Sequence, residues 1–285
     1  MRIVRTKAEL REALGPERRT GRSIGLVPTM GALHKGHLSL LRAARERCDV
    51  VVMSLFVNPA QFGEGEDLES YPRDETRDAA LAEGTGVDLV YAPAVEEVYP
   101  EGFATTVEVG GELAHVLCGD PARRGPEHFR GVATVVAKLL NTVGPDVAFF
   151  GQKDAQQAIV IRRMVRDLDF GVEIEVVPTV READGLAMSS RNAYLDGQER
   201  ERATALIRAL RAAKAVADAG ETRTQPALDA ARAELERAGI EPEYLEARDA
   251  QSLAPAESLN GRPVLVAVAA RVGKARLIDN LVIGG

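Results

Sequence analysis

To about residue 178 the chain alternates short apolar runs with stretches of helical periodicity. Ser23–Thr29, Val50–Val57, Asp88–Tyr91, Asp146–Phe150 and Val172–Val177 read as strands. The segments His37–Arg47, Asp74–Glu83 and Asp154–Leu168 between them read as helices. So does the stretch carrying Val132, Val135, Val136, Leu139, Leu140 and Val143, whose spacing places one apolar stripe along a helix. The strand runs are apolar throughout instead of alternating, which signals burial on both faces and hence a parallel sheet. The expected fold is therefore a doubly wound, Rossmann-like α/β domain, with a ligand crevice at the carboxyl ends of its strands. Beyond Pro178 and the turn Glu182-Ala183-Asp184-Gly185 the texture changes. Helices at about 197–219 and 225–238 precede strand-like pieces at Tyr244–Ala247, Val264–Ala270 and Arg276–Ile283. Val272-Gly273-Lys274 joins the last two as a hairpin. Residues 179–285 thus read as a smaller α+β domain after a parallel domain at residues 1–178.

Composition narrows the partners. The chain has 285 residues, 45% hydrophobic and 28% charged, enough for one large or two modest domains with a real core. Its 36 Lys and Arg against 43 Asp and Glu leave a net charge of −7, and aromatics are only 4%. That balance speaks against a nucleic-acid track or an anionic membrane as partner. Cys48 and Cys118 are the only cysteines, which excludes a disulfide framework and a cysteine-rich zinc site. The first ten residues carry no apolar stretch of signal-peptide length. The longest apolar runs, such as Val264–Ala270, fall far short of the ~18 residues of a membrane span. A cytoplasmic location is the expectation.

Four motifs can carry chemistry, and three of them end strands. Pro28-Thr29-Met30-Gly31-Ala32-Leu33-His34-Lys35-Gly36-His37 follows one strand and opens a helix. Its glycines allow close approach, the helix start offers N–H groups to an anion, and His34 and His37 share a face. The same spacing equally suits a helix cap plus a surface histidine. Neither the phosphate-loop Lys-Ser/Thr pair nor G-x-G-x-x-G is present, and no third ligand accompanies the histidines to make a metal site. Gly151-Gln152-Lys153-Asp154, with Gln157 a turn beyond, offers a point charge, a cap or ribose ligand, and an amide. An ordinary capped helix start explains it as well. Met188-Ser189-Ser190-Arg191-Asn192 makes a phosphate clamp or a plain polar loop. Asn58-Pro59-Ala60-Gln61-Phe62, followed by Tyr71-Pro72-Arg73, sets a neutral Gln61 at the crevice for a hydroxyl or carboxylate, or is a turn with an incidental glutamine. His128-Phe129-Arg130-Gly131 reads as structural. In His115-x-x-Cys118 a buried thiol beside a loop histidine is the better reading.

Taken in order, PTMGALHKGH, NPAQF, YPR, HFRGV, FGQKDAQQ and MSSRN resemble the pantothenate synthetase (pantoate–β-alanine ligase) family. His34-Lys35-Gly36-His37 matches the His-x-Gly-His-like hallmark of the wider nucleotidylyltransferase superfamily. The resemblance spans most of 23–195 and weakens beyond. It implies condensation of pantoate with β-alanine by way of pantoyl adenylate, with Mg²⁺-bound ATP, and a homodimer. Carried over by motif, it implies that Met30, Gly31, Ala32, Leu33, His34, Lys35, Gly36 and His37 bind ATP, His37 as proton donor. Gly151, Gln152, Lys153 and Asp154 would hold ribose and phosphates, with Met188, Ser189, Ser190 and Arg191 joining them from the second domain, a lid. Val180 would pack near adenine, Gln61 and Gln157 would hold pantoate, and Gln61 would border β-alanine. His34, His37, Lys153 and Arg191 are the implied catalytic set. Two alternatives stand beside it: another adenylate-forming member of the superfamily, and a nucleotide-binding module without catalysis.

Overall fold

The computed structural model of the protein describes residues 1–63, 66 and 68–284. Among them six strands form one parallel sheet: β1 (Arg2–Val4), β2 (Ile24–Thr29), β3 (Val50–Leu55), β4 (Leu89–Tyr91), β5 (Val147–Gly151) and β6 (Glu173–Val177). The helices between them are α1 (Lys7–Arg19), α2 (Lys35–Arg47), α3 (Glu75–Glu83), the short α4 (Val95–Val98), α5 (Pro126–Val143) and α6 (Ala155–Asp167).

The uniformly apolar strand runs conceal an ordinary two-residue alternation. Leu26, Val50, Val52 and Ala148 face one layer, against α1, α5 and α6. Val27, Val51, Met53, Val147 and Phe149 face the other, against Leu40, Leu41 and Ala44 of α2. Each such side chain, fully buried, contributes ~1.5–3 kcal/mol. Both layers being dry is what makes the strands read as continuous.

Strand order is β1-β4-β3-β2-β5-β6. After β2 the chain moves outward through β3 and β4, and later returns to lay β5 along the opposite side of β2. The order therefore reverses between β2 and β5, and a crevice opens beyond their carboxyl ends. The loops leaving these two strands carry the His34/His37 and Lys153 motifs.

The elements differ from expectation in four places, one of them the short α4, which the sequence pattern did not signal. β1 and α1 went unread: α1 contains Pro16 and buries only Leu10 and Leu14, so its stripe is narrow. α5 starts at Pro126, six residues before the apolar stripe that marks it in the sequence, so His128 to Gly131 lie within the helix. Proline at its first turn and Gly144 in the left-handed region after it (φ 55°) set its limits. The single helix expected at 197–219 is two, α7 (Gly197–Ala203) and α8 (Ala205–Asp218). At Thr204 the hydroxyl bonds back to Glu201 O at 2.7 Å and the helix re-starts.

Helix α9 (Thr224–Arg237) precedes an antiparallel sheet of β7 (Pro242–Asp249), β8 (Val264–Val272) and β9 (Ala275–Ile283), in that order. Val264, Val266, Val268 and Ala270 of β8 pack with α8 and α9 into a core of their own. Leu265, Ala267 and Ala269, on the opposite face, join the core of the parallel sheet. The β8–β9 turn at Gly273 (φ +57°) is the hairpin expected.

Candidate active site

The loop after β2 is held from below by a buried acid. Asp78 of α3, 1% exposed, accepts from the Ala32 and Leu33 N–H groups at 2.8 Å each. Those bonds fix Ala32 in the left-handed region (φ 50°), beside Gly31 at φ +91°. Leu33 anchors the loop in the core.

His34 caps α2, its Nδ1 accepting from Gly36 N at 3.1 Å, while His37 Nδ1 accepts from His34 N at 3.3 Å. An imidazole that accepts at Nδ1 carries its proton on Nε2. The rings lie 4.1 Å apart at 33°. Burial pushes both down, with neighbouring positive charge adding to it: His37 to about 3, by burial, His34 and Lys153, and His34 to about 4, by burial and Lys153. Both are neutral N–H donors at neutral pH, in keeping with their place at a helix N-terminus.

The loop after β5 brings Lys153 to the same cavity, with Nζ 3.3 Å from Asp154. Burial works against the Asp154 charge, but Lys153, His37 and Arg191 outweigh it and hold the carboxyl below its ordinary range. Asp154 stands at the start of α6 without capping it, since its partner is Lys153. Asn280 of β9 secures this turn from the other sheet. Its Nδ2 donates to the Gln152 and Lys153 carbonyls at 3.0 and 2.9 Å, and its Oδ1 accepts from Gln152 Nε2 at 3.0 Å.

The opposite wall is neutral. Asn58 Nδ2 donates to Gln61 Oε1 (3.1 Å) and to Gly131 O (3.2 Å), and its Oδ1 accepts from Tyr99 OH at 2.7 Å. Gln61 Nε2 lies 3.0 Å from Met30 Sδ. The close approach requires glycine: a Cβ on Gly131 would fall 2.0 Å from Ala60 O. His128 Nδ1 is bonded to Gln61 O at 2.8 Å, and burial and Arg124 lower its pKa to about 4. Arg124 in turn grips Glu66 through two 2.7 Å bonds.

The third wall comes from residues after β6. Met188 N donates to Val180 O at 3.0 Å and Arg181 bridges Ala187, so Val180 and Met188–Arg191 emerge side by side over the cavity. Arg181 also pairs with Asp279 of β9 at 2.6 and 3.0 Å.

These walls enclose a cavity of about 270 Å³. Met30, His34, Gly36, His37, Gln61, Gly151, Lys153, Asp154, Gln157, Val180, Met188, Ser189, Ser190 and Arg191 all line it. Gly31, Ala32, Leu33, Lys35 and Gln152 lie outside the lining, in the backbone that shapes it. Sequence reading missed Asp78, Tyr99, Arg124, Asp279 and Asn280, which act across the fold. It also passed over Ser54 and Thr179, whose buried hydroxyls line the cavity with no hydrogen-bond partner among the described residues. A serine inside the apolar β3, and Asp279-Asn280 inside β9, were the available signals.

A crevice at the switch point of a doubly wound sheet, with imidazole, lysine and carboxamide donors converging on it, defines an α/β enzyme that handles small anionic ligands. A family model described as pantoate-beta-alanine ligase matches residues 2–282. The pantothenate synthetase of Moorella thermoacetica is 55% identical over 284 residues, covering 99% of each chain. A crystal structure of the pantothenate synthetase from Thermus thermophilus has a TM-score of 0.93 at 50% identity, covering 100% of both chains. The pantoate-beta-alanine ligase of Francisella tularensis, complexed with beta-gamma ATP and beta-alanine, has a TM-score of 0.80 at 32% identity, covering 99% of this chain and 97% of that one. The chain belongs to the pantoate–beta-alanine ligase family, and so is an ATP-dependent ligase.

Proposed function

We propose that the chain condenses pantoate with β-alanine through pantoyl adenylate, releasing pyrophosphate and then AMP. One observation carries this reading. One cavity is lined both by N–H and cationic donors (His34, His37, Lys153, Arg191) and by carboxamides (Gln61, Gln157).

Pantoate and ATP are both anionic, so bringing them together needs positive charge and aligned donors. A pantoate carboxylate oxygen forms a bond to the α-phosphorus of ATP. The bond from that phosphorus to the bridging oxygen breaks, and its electron pair leaves with pyrophosphate. His37 Nε2–H donates a hydrogen bond to that oxygen, and Lys153 and Arg191 offset the charge that gathers. The β-alanine amine, deprotonated, then attacks the acyl carbon; the C–O bond to AMP breaks and the amine loses a proton. In this reading the Met30–His37 segment binds ATP, Gly151, Gln152, Lys153 and Asp154 take ribose and phosphates, and Val180 flanks adenine. Met188, Ser189, Ser190 and Arg191 close on the phosphates. Gln61 and Gln157 hold pantoate, and Gln61 borders β-alanine.

Mg²⁺ enters with ATP. Among the described residues no three His, Cys, Asp or Glu side chains gather to hold a metal ion. Of the two carboxylates in the cavity, Asp279 is held by two bonds from Arg181, whereas Asp154 has a single 3.3 Å contact to Lys153 and would be the one to face the ion. One carboxylate beside a triphosphate suits Mg²⁺, which keeps phosphate and water ligands.

We divide the chain into a nucleotide- and pantoate-binding part at 1–178 and a lid at 179–285, whose closure keeps water from the mixed anhydride. No helix among the described residues is long and apolar enough to cross a membrane. Two free, buried thiols fit a reducing cytoplasm. The family resemblance supports a homodimer, and light scattering at twice the 30.6 kDa chain mass would show it.

ATP–pyrophosphate exchange measured without β-alanine tests the chemistry. Exchange that depends on pantoate is expected. Exchange that is absent, or that proceeds equally without pantoate, would sink the adenylate.

A further inference from the structure

A second cavity, of about 230 Å³, adjoins the first and shares Arg124, Lys153, Asp154, Ser189, Arg191, Ile278 and Asp279 with it. Its lining carries six cations, Arg124, Lys153, Arg191, Arg271, Lys274 and Arg276, against the carboxylates Glu66, Asp154 and Asp279. That excess is local, since the chain as a whole carries −7. Asp279 adds little repulsion because Arg181 grips it from one side at 2.6 and 3.0 Å. Toward the outside, Arg276 is tied to Glu243 at 2.7 Å, and Arg271, 70% exposed, reaches the same carboxylate at 3.4 Å. Lys274 is exposed in the β8–β9 turn, where the Glu199 carboxylate packs against the adjacent Gly273 without an ion pair to Lys274 among the described residues. Cationic side chains thus line the way from the reaction cavity to the hairpin, with Glu243 and Glu199 beside its outer end.

Direction follows from the chemistry. In-line displacement at phosphorus puts the attacking and leaving oxygens on opposite sides. Gln61 and Gln157, the amides on the attacking side, line only the first cavity. The leaving side faces Lys153 and Arg191, where the second cavity begins. We propose that the second cavity is a binding site and exit route for inorganic pyrophosphate, with Arg271 and Lys274 at its outer end. This rests on the proposed cleavage of ATP next to its α-phosphate. Pyrophosphate then leaves through the hairpin side while the adenylate stays in the first cavity, open to β-alanine.

The test uses the full chain with Arg271→Gln and Lys274→Gln combined, and Lys274→Glu as a graded second variant. Calorimetry reads the affinity for inorganic pyrophosphate, and kinetics read its strength as a product inhibitor. Both should weaken about fivefold or more at low salt, further in Lys274→Glu, since exposed cations act through a screened field. KM for pantoate and β-alanine and the thermal midpoint should hold. Unchanged pyrophosphate affinity, or a loss matched by an equal rise in KM for pantoate, overturns the proposal. The two readings fail separately. A wild-type chain that binds pyrophosphate but releases none from ATP and pantoate would sink the ligase chemistry. Normal release with unaltered binding in the variants would sink the exit site.

Discussion

Two parts of the cavity lining are built on opposite electrostatic plans. One gathers Lys153, Arg191 and two neutral imidazoles around the start of α2. The other is a chain of uncharged groups, Tyr99 to Asn58 to Gln61, clamped against Gly131 of α5. Both draw on segments far apart in the chain, but the charged groups sit in short local motifs (34–37, 151–154 and 188–191), whereas the neutral chain exists only through side-chain bonds among residues 58–61, 99 and 131. A site for two anions needs positive charge only where bond making concentrates negative charge. Elsewhere amides orient a hydroxy acid without trapping it.

Removing the charge should have the largest effect. Lys153→Ala deletes a half-buried cation that pairs with Asp154 at 3.3 Å, within the same turn, so the fold should survive. Loss of one donor aimed at transition-state charge typically costs ~10²–10³ in rate. Pantoate-dependent ATP–pyrophosphate exchange should fall by about that factor with an unchanged circular dichroism spectrum. Exchange within a few-fold of wild type would remove Lys153 from the charged wall's work.

Adding charge to the neutral wall should come next. Gln61→Glu keeps the shape but places a carboxylate where an anionic substrate is proposed to lie, next to Asn58, whose Nδ2 can still donate. Like charges in a partly buried contact cost a few kcal/mol, and ~1.4 kcal/mol is tenfold in affinity. KM for pantoate should rise about 10–100-fold while KM for ATP moves little. A matching rise for ATP would show that the two walls are not separate.

That contrast also explains what could be read in the sequence. The charged wall was legible because each piece is contiguous, and two of the three end an apolar strand: Met30–His37 after β2, Gly151–Asp154 after β5, with Met188–Arg191 standing out as a polar motif in a later loop. The neutral wall was half legible, with Gln61 visible and Tyr99 and Gly131 not assigned to it, since their roles exist only once α5 lies against residues 58–61. Asp78 and Asn280 were invisible for the same reason, each bracing a loop far from it in sequence. α1 carried a local signal, the Thr6/Glu9 capping box, but Pro16 and a two-residue apolar stripe hid the helix behind it. Local chemistry is written in short words; support from across the fold is not.

The smallest expected effect probes the histidines that bind the walls together. Burial is the first cause that lowers His37 to about 3 and His34 to about 4, against an ordinary value of 6.5. The folded chain thus prefers both rings neutral, while the unfolded chain protonates them below about pH 6.5. Their contribution to stability is complete above that pH and declines as pH falls from about 6.5 toward 4 and 3. The thermal midpoint should drop over that window, and His37→Gln should flatten the slope. Triphosphate binding reverses the sign, because anionic oxygens beside the rings favour their charged form. At about pH 6, ATP binding should take up protons, visible as a calorimetric enthalpy that varies with the buffer's ionisation heat. The Lys153→Ala variant should alter that uptake, whereas Gln61→Glu should leave it closer to wild type, so the histidines report which wall the phosphates touch. Proton-neutral ATP binding in the wild type would place the triphosphate away from His34 and His37, and the charged wall would lose its proposed ligand.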